Sequence, residues 1–202
     1  MKIKRFVILQ IILIFSISAF ADNSWEMVKV SNLETGISQL LFIDDSTGWV
    51  TYNIPGIIYR TDDGGKTWTE QQLNLKSVTI YRVSFIDRNH GWALGITKNA
   101  IGSYGLILQT DDGGKSWKIK TRLKHREYLL NLIVFNNMGG IAAGRKGNGA
   151  PQGIIYNKEN KDEYWTEHVQ NFPAVILDDI KFADERNGWI ISNSENNSIF
   201  KN

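Results

Sequence analysis

Apolar residues in this chain come in short bursts divided by Asp, Asn, Gly and Lys. Past the first twenty residues, no stretch holds them at the 3.6-residue period of a helix. The segments "LLFID", "GWVTY", "GIIYRT" and "WTEQQL" follow one another between residues 40 and 73 and are rich in β-branched and aromatic residues. Bounded by turn formers, such segments predict strands. The same order then returns further along the chain, so the element to be explained is a repeat of four strands.

The landmarks of that repeat are specific. "TDDGGKTW" at 61–68 is nearly duplicated as "TDDGGKSW" at 110–117, and decayed counterparts end at Trp165 ("NKENKDEYW") and at Trp25 ("DNSW"). Each closing tryptophan is followed after 17 or 18 residues by a phenylalanine: Phe42, Phe85, Phe135 and Phe182. Three of these precede a Gly-Trp pair, Gly48-Trp49, Gly91-Trp92 and Gly188-Trp189, while the third repeat has Gly140-Ile141 instead. All seven tryptophans thereby fall on eight repeat positions, with Ile141 on the eighth. Repeats of this length with four strands each predict an all-β fold, a β-propeller of about four four-stranded blades, complete or reduced. Naming strands a to d from the centre outward, strand a carries the Phe, b the Gly-Trp, c "IIYRT" or "LILQT", and d begins at the closing Trp.

The octapeptide then lies in the turn between strands c and d. Thr61 and Thr110 open it; Asp63 and Asp112 are the expected acceptors of backbone N–H groups in an Asx-type turn. Gly65 and Gly114 supply positive φ, Thr67 and Ser116 add hydroxyl ties, and Trp68 and Trp117 plug the turn from below. The adjacent acids do not have the spacing of a 12-residue calcium loop, and neighbouring side chains in a tight turn diverge, so neither a metal nor a carboxylate pair is expected there.

The pattern S/T-x-D-x-G-x-T-W resembles the Asp box, or bacterial neuraminidase repeat. The longer phrases "FIDDSTGWVTYNIPGIIYRTDDGGKTW" and "FIDRNHGWALGITKNAIGSYGLILQTDDGGKSW" are similar to the repeat of the photosystem II assembly factor family and its non-photosynthetic bacterial relatives. The resemblance covers the chain from residue 22 to 202. It implies a propeller whose Asp boxes are structural and lie on the face opposite the ligand. Relatives in that family have about seven blades, whereas this chain holds about four.

Residues 1–21 have the form of a secretory signal peptide: Lys2, Lys4 and Arg5, an apolar stretch from Phe6, and Ala19-Phe20-Ala21 before the expected cleavage. The apolar run is shorter than the roughly 20 residues a spanning helix needs. The chain divides accordingly into the signal peptide, 1–21, and one propeller domain, 22–202, exported to a periplasmic or extracellular space. Without the signal peptide 20 basic residues face 21 acidic ones, so charge gives no argument for nucleic acid. The chain has no cysteine, and its stability rests on core burial rather than disulfides. The strand d that begins at Trp25 pairs with the C-terminal "SIFKN" if the ring closes on itself as a monomer. Otherwise the blades belong to a larger propeller, or two chains join edge to edge as a homo-oligomer.

The b–c and d–a loops share the face away from the c–d turns. Tyr104, Lys124, His125, Arg126, Tyr128, Arg145 and Lys146 lie in or beside them and form a candidate basic and aromatic patch, suited to an acidic peptide or a glycan. Sialidase chemistry, which the Asp box brings to mind, would require three arginines on a carboxylate together with a Tyr–Glu nucleophile and an acid. Arg60 sits one residue before an Asp box, and Arg88 and Arg186 fall in a–b turns on the other face, which leaves too few. His90, His125 and His168 are scattered without metal-ligand spacing. No catalytic residue, metal or cofactor is expected. The expected function is a non-enzymatic scaffold or assembly factor for an unidentified protein or peptide; the alternative is a glycan-binding or glycoside-hydrolase-like propeller.

Overall fold

The computed structural model describes residues 27–30, 36–52, 57–135, 139–147, 151–159, 164–172, 176–184, 186–192 and 198–201. The first blade is β1 (Ile37–Phe42), β2 (Gly48–Tyr52), β3 (Ile57–Thr61) and β4 (Thr69–Gln72). The second is β5 (Val78–Phe85), β6 (Gly91–Asn99), β7 (Gly102–Thr110) and β8 (Lys118–His125). The third is β9 (Glu127–Val134), β10 (Gly140–Lys146), β11 (Gln152–Lys158) and β12 (Thr166–Phe172). The fourth has, among the described residues, β13 (Leu177–Phe182), β14 (Gly188–Ser192) and β15 (Ile199–Lys201). Each sheet is an antiparallel meander in chain order, and the four are arranged as a ring with innermost strands β1, β5, β9 and β13 around a channel. This is the reduced four-blade propeller that the repeat predicts.

Register explains the Gly-Trp pair. Phe42, Phe85 and Phe182 face Gly48, Gly91 and Gly188 across the a–b ladder, and the Phe ring covers the glycine Cα. A Cβ at Gly91 would sit 2.5 Å from Phe85 Cδ1, so only glycine fits beneath the ring. In the third blade the ladder ends at Val134 opposite Gly140, and it is the Trp165 ring that lies over this glycine. Phe135 falls just beyond the strand, which accounts for the extra residue in that repeat.

The core lies between blades more than within them. Trp49 lies flat on Phe85 of the next blade, centroids 3.6 Å apart and planes at 5°, and its indole Nε1 donates to the Gly113 carbonyl at 3.0 Å. A second cluster, including Trp92, Leu94, Leu132 and Trp165, joins blades two and three. A smaller one, Ala143, Ile155, Phe172 and Leu177, joins blades three and four. Near the channel the Gln39 side chain exchanges two hydrogen bonds with the backbone of Val83 (3.1 and 2.7 Å), and Arg82 Nε donates to the Leu130 carbonyl at 3.3 Å.

Two expectations change. Strand d starts one residue later than the sequence suggests, at Thr69 and Lys118, because the indole of the preceding Trp is tied back into the turn. Trp117 is buried, but Trp68 is only half-buried, since no earlier blade covers it among the described residues. Of the strand expected from Trp25, residues 27–30 are described and form no strand, Met27 being 97% exposed; the signal peptide and part of the decayed third turn (160–163) lie outside the described residues. β15 pairs with β14, and no described strand lies on its other edge.

Candidate binding face

The first two c–d turns are held by the same set of side-chain bonds. Asp63 accepts from the Thr67 N–H (2.9 Å), the Thr67 hydroxyl (2.6 Å) and the Thr61 hydroxyl (2.8 Å), and Thr61 Oγ1 accepts from the Gly65 N–H at 2.9 Å. Asp112, Ser116, Thr110 and Gly114 repeat this with the same distances. Gly65 and Gly114 have φ of 87° and 96°, and the carbonyls of the same two glycines accept the Nε1–H of Trp68 and Trp117. The Thr67 hydroxyl, with the bonds from the Thr67 N–H and Thr61, lowers the Asp63 pKa to about 2. At Asp112 burial works the other way, but the bonds from Ser116 and Thr110 outweigh it and the shift is again downward. Both carboxylate oxygens of Asp63 and of Asp112 accept bonds from their own loop.

On the opposite face, strand register gathers the residues proposed from the loops. Tyr104 pairs with His125 across β7 and β8, ring centroids 5.5 Å apart, and Arg122 lies 5.9 Å over the Tyr104 ring. Arg145 pairs with Tyr128 across β10 and β9, its guanidinium 5.5 Å over that ring. Between these pairs the chain turns from β8 into β9 through Arg126, which has φ of 66°. The Arg126 Nε donates to His125 Nε2 at 3.0 Å, and its carbonyl accepts from the Gly147 N–H at 3.2 Å, tying the d–a turn to the b–c loop of the third blade.

Three acidic or phenolic groups brace this patch, and sequence reasoning missed them. Glu167 receives Lys124 at 2.7 Å and Lys146 at 2.8 Å, and these two bonds hold its carboxyl below the usual range against the effect of burial. The same contact raises the Lys124 pKa. Glu127, buried, accepts from the Tyr156 hydroxyl at 2.9 Å and the Lys124 N–H at 3.0 Å. Burial and then Glu127 push the Tyr156 phenol up, so it stays protonated and donates. In the sequence Glu127, Tyr156 and Glu167 look like ordinary strand-end residues, and no spacing marks them. The two lysines therefore share the one charge of Glu167, and Arg122, Arg126 and Arg145 add to the positive character of the face.

Residues 68–166 match the model of the family described as photosynthesis system II assembly factor YCF48. The chain is related to that family. The chloroplastic photosystem II stability/assembly factor HCF136 of Guillardia theta is 30% identical over 82 residues, covering 40% of this chain and 20% of its own. The protein of the same name from Cyanidioschyzon merolae is 34% identical over 73 residues, 36% of this chain and 16% of its own. The alignments thus span a fifth or less of these assembly-factor relatives. A solved xyloglucanase from Xanthomonas campestris superposes with a TM-score of 0.62 over 82% of this chain and 28% of its own, at 9% identity, a likeness of fold alone. Among the described residues no three His, Asp or Glu side chains gather as a metal site.

Proposed function

We propose that this chain is an exported, non-enzymatic propeller that binds another protein in the manner of an assembly factor, and that its partner presents an acidic segment to the arginine and tyrosine face of blades two and three. The observation that carries this reading is that the stretch matched by the assembly-factor family, 68–166, contains every residue of the patch. The chemistry fits the role. Guanidinium groups held over Tyr104 and Tyr128 lose little freedom on pairing with a carboxylate, and Arg and Tyr are the side chains that most often anchor protein interfaces. Export follows from residues 1–21, whose charge and apolar pattern suit a cleaved signal.

An array of acidic peptides, with composition-matched basic peptides as controls, tests this directly. Binding is expected to favour the acidic set and to weaken with added salt. It is also expected to fall by roughly tenfold or more in the double variant Arg126→Glu, Arg145→Glu, with no change in melting temperature. Equal binding of both sets, or oligosaccharides rather than peptides raising the melting temperature, would overturn it.

A further inference from the structure

The third repeat departs from the others where the Gly-Trp pair should stand, and the consequence lies between blades three and four. In the first blade Trp49 faces Arg60 across the b–c ladder, with Phe85 of the next blade on one side of the indole and the Arg60 guanidinium 5.3 Å away on the other. At the equivalent positions of the third blade Ile141 faces Asn157 across the same ladder, and Phe182 takes the place of Phe85. Both members of the cross-strand pair are thus shorter, while the aromatic partner on the next blade remains. The space they vacate is a cavity of about 250 Å³ lined by Ile141, Asn157, Phe182, Ile155, Phe172 and Phe200, with His168 and Lys201 also on its wall.

We propose that this cavity is a binding site for a small planar aromatic molecule, of the size and polarity of indole, taken up from solution. Its volume exceeds the roughly 150 Å³ at which an apolar protein cavity accepts benzene. Its walls supply a ring for stacking, Phe182, held edge-on by Phe135 at 5.1 Å, and a second edge-on pair, Phe172 with Phe200, also at 5.1 Å. Asn157 supplies an amide on the wall; its oxygen accepts from the Thr166 hydroxyl at 3.4 Å and has a second lone pair for the single N–H or O–H that such a ligand carries. The choice of ligand comes from the repeat itself, since the same place two blade boundaries earlier is filled by an indole lying flat on phenylalanine, and one boundary earlier by the indole of Trp92, edge-on to Trp165.

The experiment is a titration of the whole chain with indole, followed by ligand-observed NMR and by thermal melting. Saturable binding with Kd of about 1 mM or tighter is expected, in the range a ligand of this size can reach. Ile141→Trp should fill the cavity, raise the melting temperature and weaken indole binding by at least tenfold. Phe182→Leu, which keeps an apolar wall without the ring, should weaken binding several-fold, and it serves alone if Ile141→Trp does not fold. The patch variant Arg126→Glu, Arg145→Glu should bind indole as the parent does, which keeps this test independent of the peptide reading. No saturable signal with the parent chain, or affinity unchanged in the folded cavity variants, would overturn the proposal.

Discussion

Trp49 and Trp189 occupy the same place in their repeats, yet Trp49 is fully buried and Trp189 is 36% exposed. That makes the pair an internal control for packing. Trp49→Ala is expected to cost about 3–5 kcal/mol in urea melts, as for other buried aromatic truncations. Trp189→Ala should cost less than about 2 kcal/mol, because much of its ring never left water. Asp63 yields a second expectation. Its folded pKa, about 2, lies below the unfolded value near 4, so its stabilisation is present above about pH 4 and lost as pH falls towards 2. Asp63→Asn should therefore be less stable than the parent at neutral pH, and the two stability curves should converge as acid is added. Both the tryptophans and the turn acids were legible in the sequence because their chemistry is local or repeated. Glu127, Tyr156 and Glu167 were not, because each acquires its role only from a residue 3 to 43 positions away.

Among the elements, the a–b turns show a device the repeat analysis passed over. Asp44 accepts the N–H groups of Ser46 and Thr47, Asp87 those of Asn89 and His90, and Asp184 those of Arg186 and Asn187. These bonds hold all three carboxyls below the usual range, and at Asp87 they do so against burial. The acids stand two residues after each Phe in "FID", "FID" and "FAD", so the signal was present. Short Asp turns are common enough that it did not stand out beside the octapeptide. Arg88 adds a bond from the second such turn to Asp44 of the first, 3.0 Å, which links blades one and two at this end of their strands as well. The loop face was legible for the opposite reason. Propeller topology places b–c and d–a loops together, and the pairs Tyr104–His125 and Arg145–Tyr128 follow once strand register is set.

Among the described residues, three interblade cores act in series, and each blade depends chiefly on its neighbours, as in other repeat proteins. Of these three, the last has the fewest described buried residues, and it contains the cavity. Hydrogen exchange should therefore release the amides of β14 and β15 before those of β6 and β7, which lie in the best-buried blade. Equal protection across all four blades would mean that the seams are energetically alike despite their different packing. The sequence foretold the number of blades but not this gradient, because burial at a seam depends on which two side chains meet there and not on either repeat alone.

The indole of Trp49 belongs to one blade, while the ring it rests on and the carbonyl it binds belong to the next. A gene duplication that copies a single blade therefore copies half of two seams, and the inherited unit that must stay matched is the join. The join of the third and fourth repeats, with Ile141 in place of tryptophan on one side and Phe182 kept on the other, has one side changed and the other still in place.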